Sequence, residues 1–256
     1  GTQTLHDTIG GKGMTRVILA GGFGKLGQAI QTGLMDSAFE IVGILSGHAH
    51  DSAYPVWTSL SEIDQPADIF LDVSTPATVY DNAVWAIAHD MAVVIGATGL
   101  TDDQVADLRA RAAGGRGVLI VPNFSLSAVL LMQFSELAAR YFPDVEIVEA
   151  HNPKKIDAPS GTAVTTAKRI AAVRQRDPEP TTIGPARGEV IDAVPVHALR
   201  LPGYIAQQTV YFGGLDEQLT LSQSTTSRAA FVPGVLRALQ GVTQMSGLAI
   251  GLDHVL

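Results

Sequence analysis

The chain lacks cysteine altogether and has few aromatic and charged residues, and each shortage excludes a class of protein. Without cysteine there is no disulfide framework and no thiolate metal site, which fits the reducing cytoplasm where we expect the protein to act. No apolar run approaches the roughly 18 residues of a membrane span, so we expect no membrane partner. The 17 basic residues are outnumbered by 25 acidic ones, which argues against a nucleic-acid partner.

The residues that are present are typical of an ordered protein with one large domain or two joined ones. Of the 256 residues, 46% are apolar, enough to form a sizeable core. A polar, glycine-rich stretch at 1–13 precedes Met14. We interpret this stretch as a leader or expression remnant outside the fold, with a short natural extension as the alternative.

Short apolar segments alternate with amphipathic segments through the first half of the chain. Predicted strands cover 17–20, 41–45, 68–73, 92–95 and 117–121, and predicted helices cover 25–35, 77–89 and 101–113. Continuous apolar strands separated by helices are typical of sheets that are buried on both faces. The pattern therefore predicts an α/β fold with a Rossmann-type, doubly wound parallel sheet.

The pattern changes after Asn123. A predicted helix at 127–142 leads to a strand at 144–150, a polar loop, a helix at 161–173 and a proline-rich loop at 177–185. Alternating segments at 194–201, 207–212 and 218–224 predict antiparallel strands with one solvated or interface-facing side. With a last helix at 232–245, the second half is expected to be α+β, with a mixed or antiparallel sheet.

A glycine-rich loop lies between the first predicted strand and the first predicted helix. Glycines at 21, 24 and 27 permit a tight turn, close approach of the backbone to a pyrophosphate, and close packing of helix on strand. The helix N-terminus also offers free N–H groups to phosphate. The loop predicts dinucleotide binding, with a purely structural turn as the alternative.

The end of the second strand usually distinguishes the two nicotinamide cofactors. An acidic residue there binds the ribose hydroxyls of NAD, whereas a basic one accommodates the 2′-phosphate of NADP. Here Ser46, Gly47, His48 and His50 provide neither a carboxylate nor an arginine. The serine and histidines are able to donate to a phosphate, and solvated loop histidines are an equal alternative. The choice between NADPH and NADH stays open, with NADPH slightly favoured because no carboxylate repels its phosphate.

The stretch 149–163 combines a histidine and two lysines with a Ser-Gly-Thr helix start. Pro153 excludes a helix through the loop, so His151 and Lys155 are held by irregular backbone. Such groups beside free helix N–H groups form a candidate anion site, and a histidine or lysine there is able to supply a proton. An ordinary surface loop with a serine N-cap is the alternative. A hydrolytic role for Ser160 is disfavoured because no G-x-S-x-G motif surrounds it.

These motifs resemble the dihydrodipicolinate reductase family. The signature is a histidine, a lysine four positions later and D-A-P-S-G-T, here His151, Lys155 and residues 157–162, and the resemblance covers nearly the whole chain after Met14. It implies NAD(P)H-dependent reduction of 4-hydroxy-tetrahydrodipicolinate, a small cyclic dicarboxylate, to tetrahydrodipicolinate in diaminopimelate and lysine biosynthesis. Hydride transfer would be followed by protonation. The resemblance also implies a homotetramer.

The resemblance also assigns roles to individual residues, none of them to a metal. His151 and Lys155 take the catalytic roles. The expected substrate-binding residues are Asn152, Lys154, Ser160, Gly161 and Thr162. The expected cofactor-binding residues are Gly21, Gly22, Phe23, Gly24, Lys25, Leu26, Gly27, Ser46, Gly47, Ser74, Gly96, Ala97, Thr98, Val121, Pro122, Asn123 and Phe124. Asn152 departs from the second histidine that many members have.

The family fold implies a dinucleotide-binding domain at 14–124 plus 228–256, and a substrate-binding and oligomerisation domain at 125–227. Two rival functions stay open, because fold alone does not fix function. One is another nicotinamide oxidoreductase of the same fold, whose mark would be a nucleophilic cysteine or a different acid–base set. The other is a non-catalytic dinucleotide-binding sensor, which predicts the loss of His151 or Lys155, and both are present.

Overall fold

A computed structural model of the protein describes residues 13–256. The predicted leader at 1–13 lies outside the described residues, apart from Gly13. The chain divides into two compact units: unit 1 comprises the residues up to Val118 together with Met245–Gly247, and unit 2 comprises Leu119–Gln244 and Leu248–Leu256. The predicted domain limits stay a prediction, although this division places most of 228–256 in unit 2.

The first sheet has seven strands in the order β12-β6-β5-β4-β1-β2-β3. In chain order the strands are β1 (Thr15–Ala20), β2 (Phe39–Leu45), β3 (Val56–Trp57), β4 (Ile69–Asp72), β5 (Ala92–Ile95), β6 (Val118–Ile120) and β12 (Leu248–Ile250). β1 pairs in parallel with β2 and β4, and β4 pairs in parallel with β5. Every residue of β4 and β5 is buried. The predicted doubly wound parallel sheet is confirmed.

Three helices connect the strands of unit 1: α1 (Lys25–Leu34), α2 (Val79–Ala88) and α3 (Asp102–Ala112). Each lies within one or two residues of its predicted limits. α3 begins with a capping box, in which the Gln104 backbone N–H donates to the Thr101 hydroxyl (3.1 Å) and the Thr101 N–H donates to the Gln104 side chain (3.0 Å). Because strands and helices alternate, the carboxyl ends of neighbouring parallel strands lie along one edge of the sheet.

The second sheet lies in unit 2 and has five strands in the order β11-β10-β7-β9-β8. They are β7 (Asp144–His151), β8 (Glu189–Ile191), β9 (Val194–Arg200), β10 (Ala206–Gly214) and β11 (Glu217–Thr225). β10 pairs antiparallel with both β7 and β11. The predicted mixed sheet is confirmed.

The expectation that 194–201 forms an antiparallel strand is only half right. β9 pairs antiparallel with the short strand β8 but parallel with β7, with His151 opposite Arg200. The reason is the path of the chain: helix α5 (Gly161–Val173) leads into β8, which runs opposite to β7, and the turn from β8 to β9 then reverses the chain, so that β9 runs in the same direction as β7.

Helices α4 (Leu126–Ala139), α5 and α6 (Val232–Val242) complete unit 2. The apolar core of this unit joins residues of α4 and α5 to one face of the sheet, including Ile147, Ile170 and Phe212. α5 begins and ends at its predicted residues. No helix within residues 13–256 is long and apolar enough to cross a bilayer.

Candidate active site

The candidate residues form two sets, one in each unit. The set in unit 1 surrounds a cavity of about 520 Å³ at the carboxyl ends of β1, β2 and β4. Three segments contribute to its lining: the glycine loop, the end of β2 and the loop after β4. Their residues are, in that order, Gly21, Phe23 and Gly24; Ser46, Gly47 and His48; and Ser74 and Thr75. A dinucleotide is expected at this edge of such a sheet.

The glycine loop has the shape that a pyrophosphate cradle needs. Gly21 has φ +84°, a conformation that L side chains rarely adopt, and a Cβ there would lie 2.6 Å from the Val73 carbonyl oxygen. A Cβ on Gly27 would lie 2.1 Å from the Gly21 carbonyl oxygen, whereas one on Gly24 would meet nothing closer than 3.6 Å. Gly24 is the N-cap of α1 and has no side chain to cap it. The first N–H groups of α1 are therefore not capped by a side chain at this position, and the loop fits a nucleotide phosphate.

Two neighbouring strand ends are joined through Asp72, the last residue of β4. Its buried carboxylate accepts hydrogen bonds from the backbone N–H (2.9 Å) and hydroxyl (2.5 Å) of Ser74 and from Asn82 Nδ2 (3.0 Å). Its carbonyl accepts from the N–H groups of Gly96 (2.8 Å) and Ala97 (3.2 Å). Burial raises the pKa of Asp72, although these side-chain and backbone bonds oppose the rise. The predicted cofactor residues Ser74, Gly96 and Ala97 are thus held together at one edge.

The end of β2 carries the residues expected to choose between the two cofactors. The Ser46 hydroxyl accepts from the His48 N–H (3.4 Å), and Gly47 and His48 are exposed. The His50 ring stacks on Phe23 of the glycine loop, with 4.0 Å between the ring centroids. This stack places an aromatic wall beside the cavity, a feature that sequence reasoning did not find.

The remaining predicted cofactor residues, Val121 to Phe124, belong to unit 2. Val121 and Phe124 are buried. The Asn123 side-chain oxygen accepts from the Ser125 N–H (2.8 Å), and its Nδ2 donates to the Thr162 hydroxyl (3.2 Å). Asn123 therefore lies beside Thr162, one of the predicted substrate-binding residues.

The predicted catalytic residue His151 ends β7 and is bound to a glutamate of the same strand. Its Nδ1 lies 2.5 Å from Glu149 Oε2. The two residues are two positions apart, so their side chains project from the same face of the sheet. The His151 side chain is 17% exposed, whereas that of Glu149 is fully buried. The imidazole is oriented by a carboxylate and still reachable.

Arg200 binds Glu149 from the neighbouring strand. Its Nη1 lies 2.9 Å from Glu149 Oε2 and its Nη2 lies 3.0 Å from Oε1, a bidentate pair. Burial acts to raise the pKa of Glu149, but hydrogen bonds from His151 and Arg200 outweigh it and the pKa is lowered. Glu149 is therefore a buried, ionised carboxylate. Sequence reasoning placed neither Arg200 nor Glu149 in the site.

The N-terminus of helix α5 also lies beside Glu149. Its N-cap Ser160 is buried, and the hydroxyl accepts from the Ala163 N–H (3.2 Å). The Ser160 backbone N–H donates to Glu149 Oε1 (3.1 Å). A Cβ on Gly161 would have nothing within 4 Å, so the backbone there faces open space. Gly161 and Thr162 are therefore placed to offer donors to an anion.

The loop between β7 and α5 carries the other predicted residues. Lys155 Nζ lies 3.0 Å from Asp157 Oδ1, with 29% of the lysine side chain and 65% of the aspartate exposed. The Asn152 side-chain oxygen accepts from the Lys154 N–H (3.0 Å), so this asparagine closes its own turn. Asn152 and Lys154 are both exposed. No hydrogen bond or ion pair described within residues 13–256 joins Lys155 to His151.

Sequence reasoning also missed Gln208, which lies on β10 directly opposite Glu149. It is 2% exposed, and within residues 13–256 neither atom of its amide group has a hydrogen-bond partner. The available signal was a glutamine within a strand predicted to alternate between buried and exposed side chains, because a buried amide needs hydrogen-bond partners.

Comparisons with known proteins agree along nearly the whole described chain. The family model described as "Dihydrodipicolinate reductase, N-terminus" matches residues 15–124, and the model described as "Dihydrodipicolinate reductase, C-terminus" matches residues 127–256. The 4-hydroxy-tetrahydrodipicolinate reductase of Lactiplantibacillus plantarum is 42% identical over 95% of this chain and 100% of that protein. The enzyme of the same name from Streptococcus pneumoniae is 42% identical over 94% of this chain and 99% of its own length.

A solved structure gives the same answer for the fold. The dipicolinate-bound dihydrodipicolinate reductase from Paenisporosarcina sp. TG-14 is 37% identical and superposes with a TM-score of 0.86, covering 95% of this chain and 100% of that chain. Both halves of the sequence, two full-length relatives and the fold agree. The chain belongs to the dihydrodipicolinate reductase family.

Proposed function

We propose that the protein reduces 4-hydroxy-tetrahydrodipicolinate to tetrahydrodipicolinate with a reduced nicotinamide cofactor. The observation that carries the proposal is the convergence of His151 and Ser160 on the carboxylate of Glu149. A proton-donating side chain and a helix N-terminus suited to a carboxylate are thereby held side by side. The relatives named for this reaction, 42% identical over nearly their whole length, support the same substrate and a place in lysine and diaminopimelate biosynthesis.

The chain's own residues account for substrate binding and proton transfer. The N–H groups of Gly161 and Thr162 and the Thr162 hydroxyl bind a substrate carboxylate, since they are donors at the positive end of a helix and the backbone at Gly161 faces open space. Loss of water from the substrate leaves a conjugated imine, and a bound reduced nicotinamide supplies the hydride that one ring carbon accepts. The resulting electron-rich enamine needs one proton, and His151 or Lys155 donates it.

The residues of unit 1 fit NADPH better than NADH. The end of β2 offers the Ser46 hydroxyl and two histidines at 48 and 50 but no carboxylate of its own to repel a 2′-phosphate, while Asp81 of α2 lines the same cavity. The glycine loop and the N-terminus of α1 bind the pyrophosphate. These features support NADPH as the preferred cofactor, with NADH as the weaker alternative.

The assembled enzyme is expected to be a cytoplasmic homotetramer that pairs the sheets of unit 2. One face of this sheet carries exposed apolar side chains beside a groove of about 720 Å³, among them Val190 and Tyr211. Apolar side chains clustered on one sheet face are typical of a subunit interface. Light scattering during size-exclusion chromatography would measure the assembly's mass.

The test of the activity is oxidation of NADPH and of NADH, followed by the fall in near-ultraviolet absorbance. The substrate would be generated in the cuvette by an aldolase-type synthase from pyruvate and aspartate semialdehyde. We expect turnover with both cofactors and a higher kcat/KM with NADPH. Cofactor binding without any turnover would overturn the reductase assignment in favour of a sensor. A higher efficiency with NADH would overturn the cofactor preference alone.

A further inference from the structure

The carboxylate of Glu149 connects the parts of the candidate substrate site within unit 2. It is fully buried and accepts four hydrogen bonds: from His151 Nδ1 (2.5 Å), from the Ser160 N–H (3.1 Å), and from Arg200 twice (2.9 and 3.0 Å). A buried charge is costly unless it is paired and fully hydrogen-bonded. Both oxygens are paired, so the carboxylate is able to stay ionised while buried and to act as a fixed acceptor for its neighbours.

Because an ionised carboxylate only accepts hydrogen bonds, the bond from His151 fixes the state of the imidazole. Nδ1 must carry a hydrogen, and Nε2 is then the nitrogen that exchanges a proton with substrate. The carboxylate also compensates the positive charge of the ring while the ring holds the proton that it will donate. A carboxylate that orients an imidazole in this way sets the tautomer without touching the reacting atoms.

Arg200 extends the same connection to the loop that carries Lys155. Besides its two bonds to Glu149, its Nη2 donates to the Asp157 carbonyl (2.7 Å) and its Nε donates to the Lys155 carbonyl (3.3 Å). The guanidinium therefore ties the backbone on both sides of residue 156 to Glu149. Through Ser160, the same carboxylate is bound to the N-cap of α5.

We propose that Glu149, clamped by Arg200, is the positioning residue of this site, which fixes the Nδ1–H tautomer of His151 and holds that ring against the N-terminus of α5. The inference rests on the proposed function for the proton-transfer step that His151 performs. Neither Glu149 nor Arg200 touches substrate in this scheme; both act through His151, Ser160 and the Lys155 loop.

The chain offers a matched control on the same strand. Glu146 lies three positions before Glu149, so its side chain projects from the opposite face of β7. It too binds one histidine and one arginine, His197 Nε2 at 2.7 Å and Arg187 Nη2 at 2.5 Å. Glu146→Gln removes the same charge from a histidine–arginine cluster, away from His151 and α5, where 34% of the glutamate side chain is exposed.

The experiment compares Glu149→Gln with Glu146→Gln, each at a protein concentration where it has the wild-type mass. In Glu149→Gln we expect kcat to fall by about 100-fold, with the pH dependence of kcat altered and the KM for NADPH changed by less than about twofold. In Glu146→Gln we expect kcat and its pH dependence to stay within about twofold of wild type. Wild-type kcat and an unaltered pH profile in Glu149→Gln would overturn the proposal.

A second readout does not depend on activity. With 15N-labelled histidine, the ring nitrogens of His151, assigned by comparison with His151→Gln, should report an Nδ1–H tautomer in the wild type and lose it in Glu149→Gln. If the wild type fails to turn over the substrate, the proposed function fails, and the tautomer still decides the positioning role. If Glu149→Gln does not fold, Glu149→Gln/Arg200→Met removes both buried charges together and should show the same loss of the tautomer. An unchanged tautomer in either variant would overturn the proposal.

Discussion

Substitutions at two glycines of the cofactor loop should affect stability and cofactor binding separately. Gly27 lies inside α1, where an added Cβ would stand 2.1 Å from the Gly21 carbonyl oxygen and 2.6 Å from the Gly22 carbonyl carbon. Ordinary contact begins at 3.4 Å, so backbone would have to move by more than an ångström. Gly24 has φ −68° and ψ 172°, which any residue adopts, and its added Cβ meets nothing closer than 3.6 Å.

The expected magnitudes follow from these distances. In Gly27→Ala, overpacking against backbone costs about 3 kcal/mol and alanine's better helix propensity returns up to about 1 kcal/mol, leaving a loss of roughly 2 kcal/mol. For a chain of this size that lowers Tm by about 4–8 °C. In Gly24→Ala, a poorer N-cap and a less flexible unfolded chain offset each other to within about 0.5 kcal/mol. The new methyl group nonetheless occupies the place where the pyrophosphate should approach.

Thermal unfolding and calorimetric titration with NADPH would measure both effects. We expect Gly27→Ala to melt earlier, and Gly24→Ala to melt like the wild type while its Kd for NADPH rises about tenfold or more. A Gly27→Ala variant as stable as the wild type would refute the packing argument. Wild-type NADPH affinity in Gly24→Ala would show that this loop does not approach the pyrophosphate.

Three further predictions concern a lysine, a glutamine and carboxylates that are buried or half-buried. Lys155→Ala should lower kcat by about 100-fold while NADPH affinity is nearly unchanged, and equal losses in both would contradict a proton-donating role. Gln208→Met should leave the free energy of unfolding unchanged or raise it by about 1 kcal/mol, because the buried amide lacks a partner within residues 13–256; a clear loss in urea denaturation would show that the amide is bonded. Burial acts to raise the pKa values of Glu149 and Asp253, but it is outweighed by hydrogen bonds, from His151 and Arg200 to Glu149 and from Arg169 and Gln133 to Asp253, so both pKa values are lowered. The stability that Glu149 and Asp253 contribute is therefore present above their ordinary pKa values of 4.5 and 3.8, and it is lost as the pH falls through their lowered pKa values in the folded protein. Burial raises the pKa of Asp72, so this residue changes stability with pH in the opposite direction. Urea denaturation between about pH 7 and pH 3.5 should show a net loss of stability on acidification, and a net gain would contradict this balance.

The regular elements were predictable wherever hydrophobic periodicity was sustained. The buried strand β5 and helix α5 begin and end at the predicted residues, because a short apolar run and a Ser-Gly-Thr start define their limits. The strands β3, β8 and β12 have only two or three residues, too few for a periodic signal. The parallel pairing of β7 with β9 was also missed, since pairing direction depends on the path of the chain rather than on the alternation within a strand.

The candidate site was predictable where a motif is local in sequence and hidden where it depends on pairing between strands. His151, Lys155 and the Ser160–Thr162 helix start all lie in one short stretch. Arg200 is 49 positions from His151 and comes opposite it only through the register of β7 and β9. Glu149 lies beside the motif in the sequence, two positions before His151. Its contact with His151 could not be predicted, because the sequence alone does not show that both residues share a buried sheet face.

The proposed substrate is an anion and the chain is acidic, so local positive groups must offset an unfavourable overall charge. In unit 2 some of these groups already form ion pairs. The net charge is −8, and two cations near the start of α5 are already paired, Arg200 with Glu149 and Lys155 with Asp157. The two pairs differ in kind. The first is buried and bidentate, so its charge is committed to the fold; Asp157 is 65% exposed, so water competes with the second pair and an incoming carboxylate can replace Asp157 at low cost. At Gly161, by contrast, the backbone at the start of α5 faces open space. We therefore expect anion recognition to rest first on the helix N-terminus, with Lys155 as an exchangeable charge beside it.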